Sequence, residues 1–339
     1  MAANGGGDSG RPGVAAEPAA PMIDIHTHFL GVGDAGPGAW MSPRFRRSAN
    51  WAYVKLRLGL AGRPGPVDRR YAEKLAAWAA ASPLDHVLVQ AFDGVYDGRG
   101  ELDRARTDFF VSNDYVFGLC REFPRLLPAA SINPARRDWS DELEKCAARG
   151  ARYVKINPCA MGLDPAEPRW QSFFRRMREL NLTLMSHVGP ERSLRSFGHQ
   201  LADPARLEPA LAEGLTVIAA HAGTAAFFDR FPYFANLVRL MERHGRLYAD
   251  SSAVAQPLRW HWMRRLAAHD LVRSRLLHGS DFPVGPNAFP WAGLSWRQWR
   301  AQHAVENRLA RDLAIKEAFG FGRESAARAA RVLGLTGRR

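Results

Sequence analysis

Lysine is almost missing from this chain: of its 47 basic residues, five are Lys and 42 are Arg. Cysteine is equally sparse. Cys120, Cys146 and Cys159 form no CxxC pair and are odd in number, which argues against a disulfide framework and fits a reduced, cytoplasmic setting. No run approaches 18 uninterrupted apolar residues, so no membrane span is expected. Acidic residues are outnumbered, leaving a formal net charge of +13. The arginines are nevertheless scattered along amphipathic segments, and no nucleic-acid-binding module accompanies them, so a nucleic-acid partner is not expected. An anionic small molecule suits the charge better, and assembly into a homo-oligomer is left open.

What is present is enough apolar material for a large core: 46% of 339 residues are hydrophobic. Residues 1–21 are the exception. They are rich in Gly, Ala and Pro, lack the apolar segment of a signal peptide, and read as a flexible tail ahead of a domain over 22–339.

From Met22 onward, short apolar runs alternate with longer amphipathic ones. The short runs cover 22–28, 86–93, 126–134, 151–158, 182–189, 215–223, 246–254 and 275–283. Between them lie segments of helical spacing, among them 141–150, 169–181, 204–214, 233–245 and 257–270, several closing on Gly or Asn as helix ends do. Eight strand and helix repeats with near-continuous apolar strands predict an α/β fold, a (β/α)8 TIM barrel, with an open doubly wound sheet as the alternative.

Gly31, Gly33 and Gly36 spell GxGxxG after the first run, as a dinucleotide fingerprint does. Pro37 and Gly38 stand where a helix should open, however, and no acidic residue follows before Asp68 to hold a ribose. The stretch reads as a glycine-rich loop. It begins an insertion over 31–84, with a helix at 67–81, that is expected to overhang the barrel mouth as a lid.

Cation-binding side chains fall at the strand ends. His26 and His28 close the first run, Lys155 the fourth, His187 the fifth, His221 the sixth and Asp281 the eighth. A His-x-His pair alone means little, since this composition supplies about one in three chains by chance. Five strand ends of this kind are expected to meet above the barrel, and burying them together is costly unless a divalent cation pairs them. Three imidazoles and a carboxylate suit zinc, with Mn, Fe, Co or Ni sharing the chemistry. Asp24, at strand spacing from His26, is a candidate to hold a ligand imidazole by its second nitrogen.

With DIHTH, VKINP, the SHVG histidine, AAHAG and GSDFP, the chain resembles the amidohydrolase superfamily, in its amidohydrolase-related branch of metal-dependent TIM-barrel hydrolases and decarboxylases. The resemblance covers about 22–335 and implies that His26, His28, His187 and Asp281 bind metal. In the binuclear type it further implies a carboxylated Lys155 bridging two ions and His221 on the second. In the mononuclear type Lys155 is no ligand and His221 acts as acid/base or orients the substrate.

The expected chemistry is water activation, with Asp281 taking the water's proton and His221 assisting. Arg44, Arg46 and Arg47 in the insertion, and Glu191 and Arg192 after His187, are candidates for substrate contact. Trp291, Trp296 and Trp299 are expected to pack the last helices, and neither Ser280 nor Cys159 has the setting of a nucleophile. Three function classes follow: a metal-dependent hydrolase of a C–N or C–O bond in a small anionic substrate, a non-oxidative decarboxylase of an aromatic or enoic acid, and a non-enzymatic basic barrel that binds nucleic acid or protein.

Overall fold

The computed structural model describes residues 20–62, 64–287 and 293–336. The tail at 1–19 and Trp291 lie outside the described residues. All eight apolar runs form strands: β1 (Ile23–His28), β2 (His86–Gln90), β3 (Leu126–Ser131), β4 (Tyr153–Ile156), β5 (Thr183–His187), β6 (Val217–Ala220), β7 (Leu247–Asp250) and β8 (Leu276–Leu277). They pair in parallel and in chain order. The barrel is brought round to β1 by the Ile25 and His28 amides, which donate to His278 O (3.1 Å) and Phe282 O (2.7 Å), with a parallel bridge between Thr27 and Phe282.

Alternation along the strands layers the interior. Leu88, Tyr153 and Met185 lie fully buried two residues before Gln90, Lys155 and His187, so an apolar floor supports a polar layer at the strand tips. Tyr153 ties the floor together, its hydroxyl donating to Ile25 O (2.5 Å) and accepting from Gln90 Nε2 (3.0 Å). The outer faces of the strands pack against helices such as Trp139–Ala148, Gln171–Glu179 and Tyr233–Arg243, whose apolar residues recur at helical spacing.

The insertion after β1 holds a strand at Ala39–Met41 and helices at Pro43–Arg46, Ala49–Leu58 and Val67–Ala80. The short strand pairs antiparallel with Phe109–Val111, a ribbon the sequence did not announce. The glycine-rich loop is no phosphate cradle. The Val32 and Gly33 amides donate to the Asp68 carboxylate (2.6 and 2.8 Å), so a side chain already takes the anion's place. Gly33 sits at φ 84°, and an added Cβ would meet Ala39 O at 2.4 Å, which accounts for a glycine there.

Candidate metal centre

The strand tips converge as expected. His28, Lys155, His187, His221 and Asp281 line a cavity of about 410 Å³ at the mouth of the barrel, and His26 lies fully buried beneath it. Two of these residues depart from ordinary backbone geometry: His221 has φ 66° and Asp281 φ 61°, in the left-handed region that side chains rarely adopt. Each is held there by its own amide, His221 N donating to Asp250 Oδ1 (2.8 Å) and Asp281 N to His26 O (2.8 Å).

Three donor atoms form a tight triangle. His26 Nε2 lies 3.2 Å from His28 Nε2 and 3.5 Å from Asp281 Oδ1, and His28 Nε2 lies 3.3 Å from the same oxygen. The tautomer of His26 is set from behind, where Nδ1 sits 2.6 Å from Asp250 Oδ2 and donates to it. Nε2 therefore carries a lone pair. Burial, reinforced by Lys155, lowers the His26 pKa to about 4, so the ring is neutral. Burial alone would raise Asp281, but its contact with His28, at 3.3 Å, holds its carboxyl well below the usual range, so it is ionised.

Two imidazoles and a carboxylate aimed at one point are a donor set for a cation. The spacing fits as well, since tetrahedral zinc at 2.0–2.1 Å from its ligands sets them about 3.3–3.4 Å apart.

Around the triangle, Lys155 Nζ lies 3.3 Å from His26 Nε2, and burial lowers its pKa to about 8. His187 stands slightly apart from the three. Its Nε2 lies 3.1 Å from Gly189 O, which only accepts, so Nε2 carries the proton and Nδ1 presents its lone pair toward His221 Nε2 at 3.0 Å. Burial takes the His187 pKa down to about 4, so this ring too is neutral. His221 Nδ1 is in turn 2.8 Å from Ser252 Oγ, which reaches Asp250. Gln256 Nε2 steadies Asp281 at Oδ2 (3.3 Å).

The structure reassigns several expected roles. Asp24 does not hold His26; its Oδ1 accepts from the backbone amides of His26 and Ser280 (both 3.0 Å), and burial raises its pKa to about 6. Asp250, at the tip of β7, takes that role. Arg44 is bound to Asp108 through Nε (3.0 Å) and Nη2, Arg46 to the carbonyls of Met41 (3.1 Å) and Val32, and Arg47 is exposed; none of the three lines the cavity.

Glu191 and Arg192 do line it. Glu191 accepts from Asn157 Nδ2 (2.9 Å) and from the amides of Ser193 (2.7 Å) and Leu194 (3.1 Å), which shapes its own loop. Arg192 pairs with Asp229. Trp296 and Trp299 stack on each other (4.5 Å) away from the cavity, and Ser280 Oγ accepts from Phe282 N (3.1 Å). Cys159 is buried with its thiol on Gly198 O (3.2 Å), and burial pushes its pKa up to about 11.

One cavity residue escaped notice in the sequence. Arg259 lies in the 251–261 turn region after β7, whereas helical spacing predicts a helix from 257; the helix starts only at Trp262. Pro257 and the Arg259 amide, which donates to Gln256 O (3.1 Å), keep this stretch in turns.

The model of the family described as amidohydrolase matches residues 23–318. Among curated proteins, none matches. Solved structures share the fold. An uncharacterized TIM-barrel protein from Bordetella bronchiseptica is 15% identical with a TM-score of 0.62, covering 92% of this chain and 99% of its own. A putative 2-pyrone-4,6-dicarboxylic acid hydrolase from Pseudomonas putida is 18% identical with a TM-score of 0.56 (94% and 99% covered). Apo IDCase from Metarhizium anisopliae is 17% identical with a TM-score of 0.52 (94% and 98% covered). At such identities the likeness speaks for the fold alone.

Proposed function

The chain belongs to the amidohydrolase family, whose members are usually enzymes that bind a divalent metal, and on that premise we propose that it is a metal-dependent hydrolase cleaving a C–N or C–O bond of a small organic substrate with an activated water. The observation that carries this reading is the triangle of His26 Nε2, His28 Nε2 and Asp281 Oδ1, with edges of 3.2 to 3.5 Å.

In this reading one zinc ion would be held by His26, His28 and Asp281 with a position left open for water, and Nδ1 of His187 would be a further donor when the coordination expands. When bound, the ion lowers the pKa of a water toward 7 and polarises the substrate's carbonyl oxygen. Asp281, ionised and steadied by Gln256, accepts the proton that the water loses and passes it to the leaving group. His221 stands beside His187, ready to donate a hydrogen bond to charge that develops on the substrate oxygen. Phe92 and Phe109, stacked at 4.2 Å, form an apolar wall, and Tyr53 and Val54 from the insertion roof the cavity as a lid that excludes water.

Two observations favour variants of this chemistry. The lowered pKa of Lys155, about 8, leaves part of the amine uncharged near neutrality, as carboxylation by CO2 requires; that supports a two-ion site bridged by Lys155 and completed by His221. The apolar wall beside the donor triangle favours an aromatic or enoic acid, and so decarboxylation, with a water proton relayed to carbon through Asp281 or His221. A non-enzymatic basic barrel has less support, because many arginines are spent in surface ion pairs such as Arg69 with Glu122 and Arg176 with Glu144.

The test is to strip the protein with a chelator, restore zinc, and screen lactones, amides, esters and aromatic acids. Zinc-dependent proton release supports the hydrolase, CO2 release without hydrolysis replaces it with the decarboxylase, and full activity of His28→Ala removes the metal site.

A further inference from the structure

The cavity contains a guanidinium with almost nothing to hold. Arg259 lines the wall of the site, only partly exposed, and its one side-chain hydrogen bond among the described residues is a long one, Nη1 to Thr224 Oγ1 at 3.4 Å. It makes no ion pair within 4.0 Å among the described residues, although a guanidinium in such a setting stays charged.

The carboxylates that act on it through space are Asp281, Glu191 and Asp229. Each is already engaged. Asp281 belongs to the donor triangle and takes Gln256 Nε2; Glu191 accepts from Asn157 and two backbone amides; Asp229 holds Arg192 and the Ala226 amide (3.0 Å). The contrast with the other arginines of the region is plain, since Arg192 and Arg44 both have a carboxylate of their own. A half-buried charge without a close partner is costly, and a cavity that retains one is suited to receive the partner from outside.

The geometry points to a substrate carboxylate. We propose that Arg259 is the specificity-determining residue that grips a carboxylate of the substrate, so that the enzyme acts on a flat organic acid whose body lies against Phe92, Phe109 and Leu258 and whose reactive group reaches the triangle. The guanidinium offers two parallel N–H groups that match the two oxygens of a carboxylate, and the apolar wall suits an aromatic or conjugated frame. The assignment deepens the hydrolase reading and takes its site from there. It also moves anion recognition away from Arg44 and Arg47 in the insertion.

The experiment uses benzoate and its neutral counterpart benzamide as probes, titrated calorimetrically into the full-length protein, both chelator-treated and zinc-loaded. Chelator-treated protein offers no ion to compete for the carboxylate, so wild type is expected to prefer benzoate there. Arg259→Gln should weaken benzoate about 10- to 100-fold and leave benzamide unchanged, as loss of a charge-assisted fork implies. Arg259→Lys, which keeps the charge without the fork, should fall between.

Equal affinity of wild type for the two probes overturns the assignment, and so does an Arg259→Gln protein of unchanged melting temperature that binds benzoate like wild type. If Arg259→Gln fails to fold, Arg259→Lys decides: wild-type benzoate binding overturns the assignment and a several-fold loss supports it. Zinc content of the same samples separates the two readings. Wild type that takes up no zinc on loading yet binds benzoate through Arg259 contradicts the metal hydrolase and leaves the anchor standing; wild type that takes up zinc but binds benzoate without that dependence does the reverse.

Discussion

His26 Nδ1 lies 2.6 Å from Asp250 Oδ2, joining the first strand to the seventh at the base of the cavity. This contact fixes which nitrogen of His26 faces His28 and Asp281, and therefore whether the triangle can accept a cation at all. A carboxylate behind a ligand imidazole is worth about 10- to 100-fold in metal affinity. Asp250→Asn is accordingly expected to weaken zinc binding by that factor in a chelator competition assay, in protein that still folds. Unchanged affinity would show that Asp250 only caps the His221 and Ser252 amides, to which its Oδ1 is also bonded.

Gly279 offers a steric test of the same site. An added Cβ there would stand 2.6 Å from His26 Cβ and 3.3 Å from Ser252 Cβ, with no flexible side-chain end to yield. Gly279→Ala should therefore displace the β8 tip or β1, destabilise the fold by about 1–3 kcal/mol as overpacking does, and weaken zinc binding. Chemical denaturation together with metal titration reads both effects; a neutral substitution would mean that the strand ends are loosely packed.

The sequence carries the scaffold of the site more plainly than its finish. Every apolar run became a strand because parallel strands buried on both faces leave an unbroken hydrophobic record. The tips were legible for a related reason: His, Lys and Asp directly after such a run stand out against apolar neighbours.

Asp250 also ends a strand, but its role depends on His26 from the far end of the chain, a relationship no local pattern records. Arg259 was hidden differently, because PLRWHWMRRL has helical spacing while its first half is held in turns. Arg44 looked free only because Asp108, its partner, lies 64 residues away. The ribbon of Ala39–Met41 with Phe109–Val111 is three residues long on each side, too short for alternation to show.

A pH dependence follows from His278, which is fully buried with neither ring nitrogen bonded. Burial, with Lys316 adding to it, holds its pKa well below 6.5, so the native ring stays neutral while the unfolded chain takes up a proton below that pH. The unfolded state then binds more protons, and stability falls as the pH drops through 6.5. For one such site the loss between pH 7.5 and 5.5 is about 1.4 kcal/mol. In chelator-treated protein, urea unfolding of His278→Leu should show a pH dependence smaller by that amount; an identical dependence would mean that His278 is protonated in the native state.

Lys155 distinguishes one ion from two. With a single ion in the triangle, Lys155→Met should retain the wild-type zinc content, and added bicarbonate should not change metal uptake by either protein. A wild type that binds two zinc ions per chain only with bicarbonate, and a Lys155→Met variant that binds one, would establish a carboxylated bridge in place of the single-ion site.

The donor triangle is tested most directly by elemental analysis of the purified full-length protein beside its Asp281→Asn variant, both loaded with zinc and freed of excess. The account predicts about one tightly held zinc per chain in wild type and close to none in the variant, with matching far-ultraviolet circular dichroism. Zinc retained in full by Asp281→Asn, or a wild type that binds none, would contradict it.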